Sequence, residues 1–561
     1  MKQILRIPVL LLALLLMLCA CTTAAPRAAV ETAVPTETAV PEPTATPDPG
    51  ELSVYTDALA AADRIDDNNR VFYEIFVGSF SDSNGDGIGD LRGIINRMDY
   101  LNDGDPNSGK SLGVEGLWLS PIFNSPTYHK YDVSDYYVID PQFGTEADLV
   151  ELIELCHARD VKVILDLVIN HTSRRNDWFR AFLEAHRQDD RENPYYDFYT
   201  WYDGDTEKAP AGRKFGQLSG TNHYYECNFD GDMPELNYDN PAVRQAVLDI
   251  ANYYLDLGVD GFRFDAAKYV YFGDHAASVA FWEEYLGKLR ERKPDLYAVA
   301  EVWDSDGITD LYFPAVNCFD FTISQASGLI SETAQKGDVN RYTAYVQAYC
   351  DRVKSMREGA AFTPFVTNHD MDRAAGFLTV ASGSMQMAAN LYILGPGSPF
   401  LYYGEELGMR GSRGGANTDA NRRLAMIWGD GDTVQNPTGS TYSASNQITS
   451  GTFEQMRAES SLYTYYKKLL MLRRANPAIA HGTYTALKIA DSKVGGFAAS
   501  LDGKTVLVLH NTTISKKTVE LSGLIDASAF SIRGVIGMED ASLSGTALTL
   551  GSQTSVVIAC D

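Results

Sequence analysis

The sequence predicts an α/β protein: a (β/α)8 TIM barrel with a small domain inserted after its third strand and an antiparallel β domain at its C-terminus. Three observations predict it. Short apolar runs alternate with longer helical patterns, the texture of repeated β/α units. Each run ends in polar or acidic residues, and in a closed parallel barrel such ends converge on one mouth. The spacing agrees: Asp265 and Glu301 are 36 residues apart, one unit, and Glu301 and Asp370 are 69 apart, close to two, on a fold that takes about 250 residues for eight units.

Residues 1–20 place Lys2 and Arg6 ahead of an apolar run from Ile7 to Leu18. The charge, length and small-residue flank are those of a secretory signal, too short to span a membrane. Leu18-Cys19-Ala20-Cys21 resembles a bacterial lipoprotein box, in which cleavage leaves Cys21 as the lipidated N-terminus. The alternative is a plain secreted protein whose cleavage site contains a cysteine. Residues 21–50 are a Pro/Thr/Ala spacer with too little apolar mass to fold, a semi-extended tether. The chain is therefore expected to be secreted across the cytoplasmic membrane and held at the outer surface of a bacterial cell by its N-terminal lipid alone.

The barrel's first part is assigned to 51–171, with strands at Val71–Phe76, Gly116–Ser120 and Val161–Asp166. From Asp166 to Asp265 is 99 residues, too long for one unit. The surplus is assigned to an inserted domain over 172–235, rich in aromatics and charge between Tyr195 and Asp203; most of those aromatics are expected to form its core. The second part, 236–477, carries strands at Gly261–Asp265, Ala298–Glu301, Cys318–Ile323, Phe362–Asp370 and Pro399–Gly404. After Pro477, short β-branched runs such as Lys504–Leu509 with turn residues between them mark a β domain over 478–561.

Composition narrows the function. The 561 residues hold 47 Lys+Arg against 74 Asp+Glu, a net charge of −27, which argues against nucleic acid as a partner because phosphate binding draws on clustered basic residues. Seven scattered cysteines with no C-x-x-C pair indicate neither a zinc ribbon nor a dense disulfide scaffold, while individual disulfides stay open.

Asp265, Glu301 and Asp370 all sit at predicted C-terminal strand ends. Charged groups converging there are costly unless they serve a reaction or a cation. Two carboxylates about 5 to 5.5 Å apart are what a retaining glycosidase uses, one attacking the anomeric carbon and the other protonating the leaving oxygen. A third can raise the acid's pKa and hold sugar hydroxyls. Arg263, two residues before Asp265, points to the same strand face and would keep a nucleophilic carboxylate ionised.

Four ordered segments, Asp166-Leu-Val-Ile-Asn170-His171, Gly261-Phe-Arg263-Phe-Asp265-Ala-Ala-Lys268, Glu301-Val-Trp303 and Phe365-Val-Thr-Asn368-His369-Asp370, resemble the signature regions of glycoside hydrolase family 13, the α-amylase family. The resemblance runs from about Val71 to the C-terminus. It implies that Asp265 is the nucleophile, Glu301 the general acid/base and Asp370 the transition-state stabiliser. It implies sugar binding by Asp166, Arg263, His171 and His369 beside the scissile bond, with Tyr131 as a stacking tyrosine and His129 its neighbour. Asp419 and Arg423 resemble the family's Asp-x-x-x-Arg pair at the same subsite, with Arg422 adjacent in the register.

Asp82-Ser-Asn84-Gly-Asp86-Gly-Ile88-Gly-Asp90 places oxygen ligands at alternate positions like the first half of an EF-hand loop, but position 12 is Gly93 rather than Glu, so it is not an EF-hand. The family has a comparable loop that binds Ca2+ through such Asp and Asn side chains and the carbonyl at the Ile88 position. A second calcium site known in the family uses the Asn170 position and a His where this chain has Tyr269.

Lys268 resembles endo-acting α-amylases, which use that Lys in a leaving-group subsite. Met233-Pro-Glu-Leu-Asn237 resembles members between oligo-1,6-glucosidases and neopullulanases. The expectation is a monomeric, retaining endo-hydrolase of α-1,4-glucan or maltooligosaccharides. Debranching, cyclodextrin-cleaving and α-glucosidase activities, and transglycosylation through the same covalent intermediate, are the alternatives. A surface glucan-binding lipoprotein with a dead site is disfavoured because all three carboxylates are present.

Overall fold

The computed structural model describes residues 69–204, 206–209 and 211–561. The expected signal segment, tether and Cys21 lie outside the described residues. Seven parallel strands form one sheet: β1 (Phe72–Ile75), β2 (Gly116–Leu119), β3 (Lys162–Leu167), β4 (Gly261–Phe264), β5 (Tyr297–Ala300), β6 (Asn317–Cys318) and β7 (Phe400–Tyr402), in the spatial order β6-β5-β4-β3-β2-β1-β7. Between β6 and β7 the chain around Thr363 to Phe365 closes the ring through two parallel bridges, Phe319 to Thr363 and Phe365 to Phe400.

Two expected strands are corrected. The run over 362–370 reduces to bridges because Pro364 has no N–H for a ladder, although its carbonyl accepts from the Phe400 N–H at 2.9 Å. The sixth strand starts at Asn317 and ends at Cys318, because Asp320 turns the chain, its side chain accepting from the Thr322 N–H at 3.0 Å.

Every residue of β1, β2, β4 and β5 is buried, as a parallel sheet covered on both faces requires. The barrel interior is a packed core of Phe72, Trp118, Ile164, Tyr297, Val299, Phe319, Phe365 and Phe400, with Phe72 and Phe400 stacked at 4.9 Å. Polar groups begin one alternation further along the strands: Glu74 two residues beyond Phe72, and Asp166 two beyond Ile164. Several outer helices start at polar side-chain caps that use orphan N–H groups: Thr145 and Asp148 form a capping box on Glu146–His157, Asn240 caps Pro241–Asp256, and Asp274 caps His275–Arg292.

Between β3 and β4 the insertion comprises the helix Asp177–Gln188 and a three-stranded antiparallel sheet of Trp201–Asp203, Phe215–Gln217 and His223–Glu226. Tyr196, Phe198 and Tyr199 are buried, in keeping with a core role, while Trp201 and Tyr202 are half-buried. The insertion is stitched to the end of β3 by the Leu236 N–H bonding to the Asn170 carbonyl at 3.1 Å. The C-terminal part holds a five-stranded antiparallel sheet and a three-stranded one around Leu507, Leu509, Leu548, Val556 and Ile558. Among the described residues, Cys156, Cys227, Cys318, Cys350 and Cys560 are free thiols, and no helix is long and apolar enough to cross a membrane.

Candidate active site

The mouth is organised by one cation. Alternation along β4 turns Arg263 and Asp265 to the same interior face, and the register of β3 with β4 sets Asp166 beside Arg263. The Arg263 guanidinium, fully buried, donates to Asp166 at 2.7 Å, to Asp265 at 2.7 Å and to Glu301 at 2.8 Å. The planar fork directs its donors in fixed directions, two from one terminal nitrogen and one from the other, where an ammonium's three donors rotate freely on a flexible stem. Burial pushes Asp265 up to about 6 against the pull of Arg263, with Asp166 and Asp370 adding to the rise. Burial likewise raises Glu301; Arg263 opposes this and Asp265 and Asp370 reinforce it. Asp166 is also raised by burial against Arg263.

The backbone helps. Ala266, directly after Asp265, is in the left-handed region at φ 49°, a conformation costing a side-chain-bearing residue roughly 1–2 kcal/mol. That turn aims the Ala266 N–H at Glu301, 3.1 Å away. Lys130, between His129 and Tyr131, has φ 66°; strain of this kind concentrates at functional sites.

Asp370 is held differently. Burial disfavours its charge, but His369, Arg423 and Arg263 outweigh burial and hold it well below the usual carboxylate range. Arg423 donates to Asp370 at 2.6 Å and to the Tyr128 hydroxyl at 3.2 Å. The Tyr131 hydroxyl donates to Asp166 at 2.8 Å, and its ring stacks on His369 at 5.4 Å. The Tyr131 N–H donates to His129 Nδ1 at 3.1 Å, so that nitrogen is an acceptor, and burial holds His129 down to about 3. His171 is buried beside Asn170, with Nε2 lacking a partner among the described residues and burial lowering it to about 4; a neutral ring with such an atom is available to a ligand.

Two expected residues are engaged otherwise than a simple sugar contact. Lys268 donates to the Trp303 carbonyl at 2.7 Å and to Asp304 at 2.8 Å, which fixes it at the edge of the mouth. Asp419 does not pair with Arg423. It is gripped by Arg413 at 2.6 and 2.7 Å and by Arg422 at 2.9 Å, because Asp419–Asn421 is a 3-10 turn in which residues three apart eclipse. That geometry gives Asp419 to Arg422 and turns Arg423 inward to Asp370.

In the loop after β1, Asp82 accepts from the N–H groups of Asn84, Gly85 and Gly87, Asn84 from Asp86, and Asp86 from Ile88. Asp90 caps the next helix through the Gly93 N–H at 2.6 Å and accepts from Ser83. Three carboxylates, an amide oxygen and the Ile88 carbonyl are all hard oxygen donors, which suits Ca2+ in kind. Among the described residues no three acidic, His or Cys side chains converge as a metal cluster. At the other expected position, Asn170 donates to Glu235, a buried carboxyl whose pKa burial raises strongly.

Sequence reading missed Glu74 and Tyr128, and noted Arg422 only as the neighbour of Arg423. Glu74 was discoverable: it is a charged residue inside the run Phe72-Tyr73-Glu74-Ile75-Phe76, on the face that alternation assigns to the barrel interior. Tyr128 carries no such signal, since only the folded loop brings it to Arg423, and the choice between Arg422 and Arg423 as the partner of Asp419 is made by the fold.

Residues 74–482 match the family described as alpha amylase, catalytic domain. The chain is 33% identical over 493 residues to alpha-amylase 3 of Dictyoglomus thermophilum, covering 87% of this chain and 93% of that protein. It is 29% identical over 527 residues to an oligo-1,6-glucosidase of Parageobacillus thermoglucosidasius, covering 80% and 90%. Its fold superposes on Eubacterium rectale Amy13B with a TM-score of 0.81 at 32% identity, over 90% of this chain and 98% of that one.

Proposed function

This chain belongs to the α-amylase family of glycoside hydrolases, and from that premise we propose that it performs retaining endo-hydrolysis of α-1,4-glucosidic bonds in starch-like glucans or maltooligosaccharides. One observation carries the reading: Asp265 and Glu301 bind a single guanidinium, so a nucleophile and an acid are held together at the end of adjacent strands. Asp265 attacks the anomeric carbon as Glu301 gives its proton to the leaving oxygen, forming a glycosyl-enzyme. Glu301, now a base, takes a proton from water, which displaces Asp265 and returns the sugar with its configuration kept. Asp370, held ionised by His369 and Arg423, faces the positive charge that develops at the ring. Asp166, Arg263, His129, Tyr131, His171, His369 and Arg423 line the place of the reacting sugar, and Lys268 the leaving-group side.

Ca2+ belongs to the reading as a structural ion held by Asp82, Asn84, Asp86, Asp90 and the Ile88 carbonyl; when bound it ties the loop after β1 together. The lipid on Cys21 and a site on the outer cell surface complete it, favouring a substrate too large to import. A second reading, hydrolysis of α-1,6 bonds or of short α-glucosides, is favoured by the likeness to an oligo-1,6-glucosidase and by the run Met233 to Asn237.

The test is the product pattern on soluble starch, pullulan, cyclodextrin and isomaltose, with anomeric configuration followed early. Rapid loss of starch viscosity with α-anomeric oligosaccharides is expected. Glucose release from isomaltose or short substrates establishes the second reading, and no turnover on any of them leaves a glucan-binding lipoprotein.

A further inference from the structure

His369 is fully buried, and both its ring nitrogens face acceptors. Nδ1 is 2.5 Å from Glu74 Oε1. Nε2 is 2.6 Å from the Tyr131 hydroxyl oxygen and 3.1 Å from Asp370 Oδ2. The Tyr131 hydrogen is committed to Asp166 Oδ2 at 2.8 Å, so toward His369 that hydroxyl can only accept. A neutral imidazole has one N–H and cannot serve both sides. With the Tyr131 hydroxyl donating to Asp166 and the Asp370 carboxylate facing Nε2, a proton on each nitrogen satisfies both sides of the ring. The groups around the ring bear on it from every side: Glu74 on β1, Trp118 edge-on from β2, Asp166 on β3, Tyr131, Asp370, and Arg423, whose Nε donates to the His369 carbonyl at 3.1 Å.

We propose that Glu74 is a positioning residue, whose carboxylate holds the His369 ring doubly protonated and aims its Nε2–H at Tyr131 and Asp370, so that the sugar pocket keeps a fixed cation. This rests on the hydrolase reading for its consequence but not for its geometry. Burial works against a charged ring, yet Asp370 and Glu74 together lift His369 to about 10. That cation is in turn the largest influence holding Asp370 ionised against burial, next to the other carboxylates of the mouth. Without Glu74 the ring loses one of its two anions. Above its new pKa it also loses the Nε2–H, and the Tyr131 hydroxyl becomes free to donate to Nε2 instead of Asp166.

The test compares wild type, Glu74→Gln and Glu74→Asp by following the His369 ring in protein labelled with 15N-histidine, the signal assigned by its loss in His369→Asn. Removing one neighbouring charge is expected to lower the ring pKa by about 1–3 units, while Glu74→Asp, which keeps the charge, stays closer to wild type. In kcat/KM the Gln variant should acquire a second alkaline ionisation, so that the limb falls with a slope of about −2 rather than about −1. A ring pKa near 8 removes about tenfold at pH 9 beyond any loss at pH 6. A wild-type ring that is neutral at pH 7, a ring pKa unchanged in Glu74→Gln, or a loss of activity equal at every pH overturns the proposal. Failure of the wild type to cleave any α-glucan overturns the hydrolase reading instead, and the ring titration still decides the role of Glu74.

Discussion

Replacing Arg263 with Met tests the organisation of the mouth directly. The side chain is fully buried and bonded to three carboxyls, so the variant leaves Asp166, Asp265 and Glu301 desolvated without their shared partner. Asp265 stands at about 6 with Arg263 pulling it down. Losing an opposite charge at contact distance raises a carboxylate by about 1–3 units, which places Asp265 between about 7 and 9. At pH 7 its ionised share then falls from about nine-tenths to between about one-half and one-hundredth, so kcat/KM drops by about 2- to 100-fold from ionisation alone. Arg263 also lowers Glu301, so both limbs of the pH profile should move to higher pH together. Breaking a buried ion pair costs about 3–5 kcal/mol, and for a folded body of this size, at about 1 kcal/mol per degree, the melting temperature should fall by about 3–5 °C. The assay is the pH dependence of kcat/KM on a maltooligosaccharide, with circular dichroism to confirm a folded variant and Arg263→Lys alongside. Lys restores charge but not the three-way fork, so its limbs should lie between the other two. An acid limb that stays near 6 in a folded Met variant would show that Arg263 does not control the nucleophile.

Other expectations follow from the same structure. Asp265→Asn and Glu301→Gln should each abolish hydrolysis while the melting temperature stays near or above that of the wild type, since each replaces a buried carboxyl raised by burial; near-normal rates in either would remove the proposed roles. Burial lifts Asp320 to about 7, so the folded chain binds this proton more tightly than the unfolded one and the stabilisation is lost as pH rises from about 4 to about 7. A shift of about 3 units corresponds to about 4 kcal/mol. Asp320→Asn should therefore flatten that part of the curve by about 4 °C in calorimetry; Tyr345 can then donate to Asp306, 3.3 Å away, and accept from the new amide. If the loop after β1 holds Ca2+, a hundredfold excess over its Kd adds about 2.7 kcal/mol. A chelator should then lower melting by about 3 °C in wild type and leave Asp86→Ala unmoved; an unchanged wild type with no bound metal counts against the ion.

The barrel was legible because its strands are short and apolar, end in polar residues and recur at nearly constant spacing, all of which are local or evenly repeated features. The same regularity exposed Arg263, Asp265 and Glu301, since alternation along a strand fixes the face a side chain takes. The insertion showed itself as a spacing anomaly between Asp166 and Asp265. The expected strand over 362–370 was overread because the apolar pattern of Phe362 to Val366 hides the missing donor of Pro364.

What the sequence by itself determined was therefore the periodic part: the order of β/α units, the inward face of each strand and the placing of Asp265 and Glu301 just past the ends of adjacent strands. Only the tertiary structure decided which charges share partners. Glu74 and His369 are far apart in the chain and meet only because closing the barrel brings both to one mouth, across the last strand, which pairs with β1 on one side and bridges to Phe365 on the other. Asp419 goes to Arg422 rather than Arg423 because the chain there is a 3-10 turn rather than an α-helix. Electrostatic pairing depends on distances across elements, and no local pattern encodes those distances until the sheet has closed.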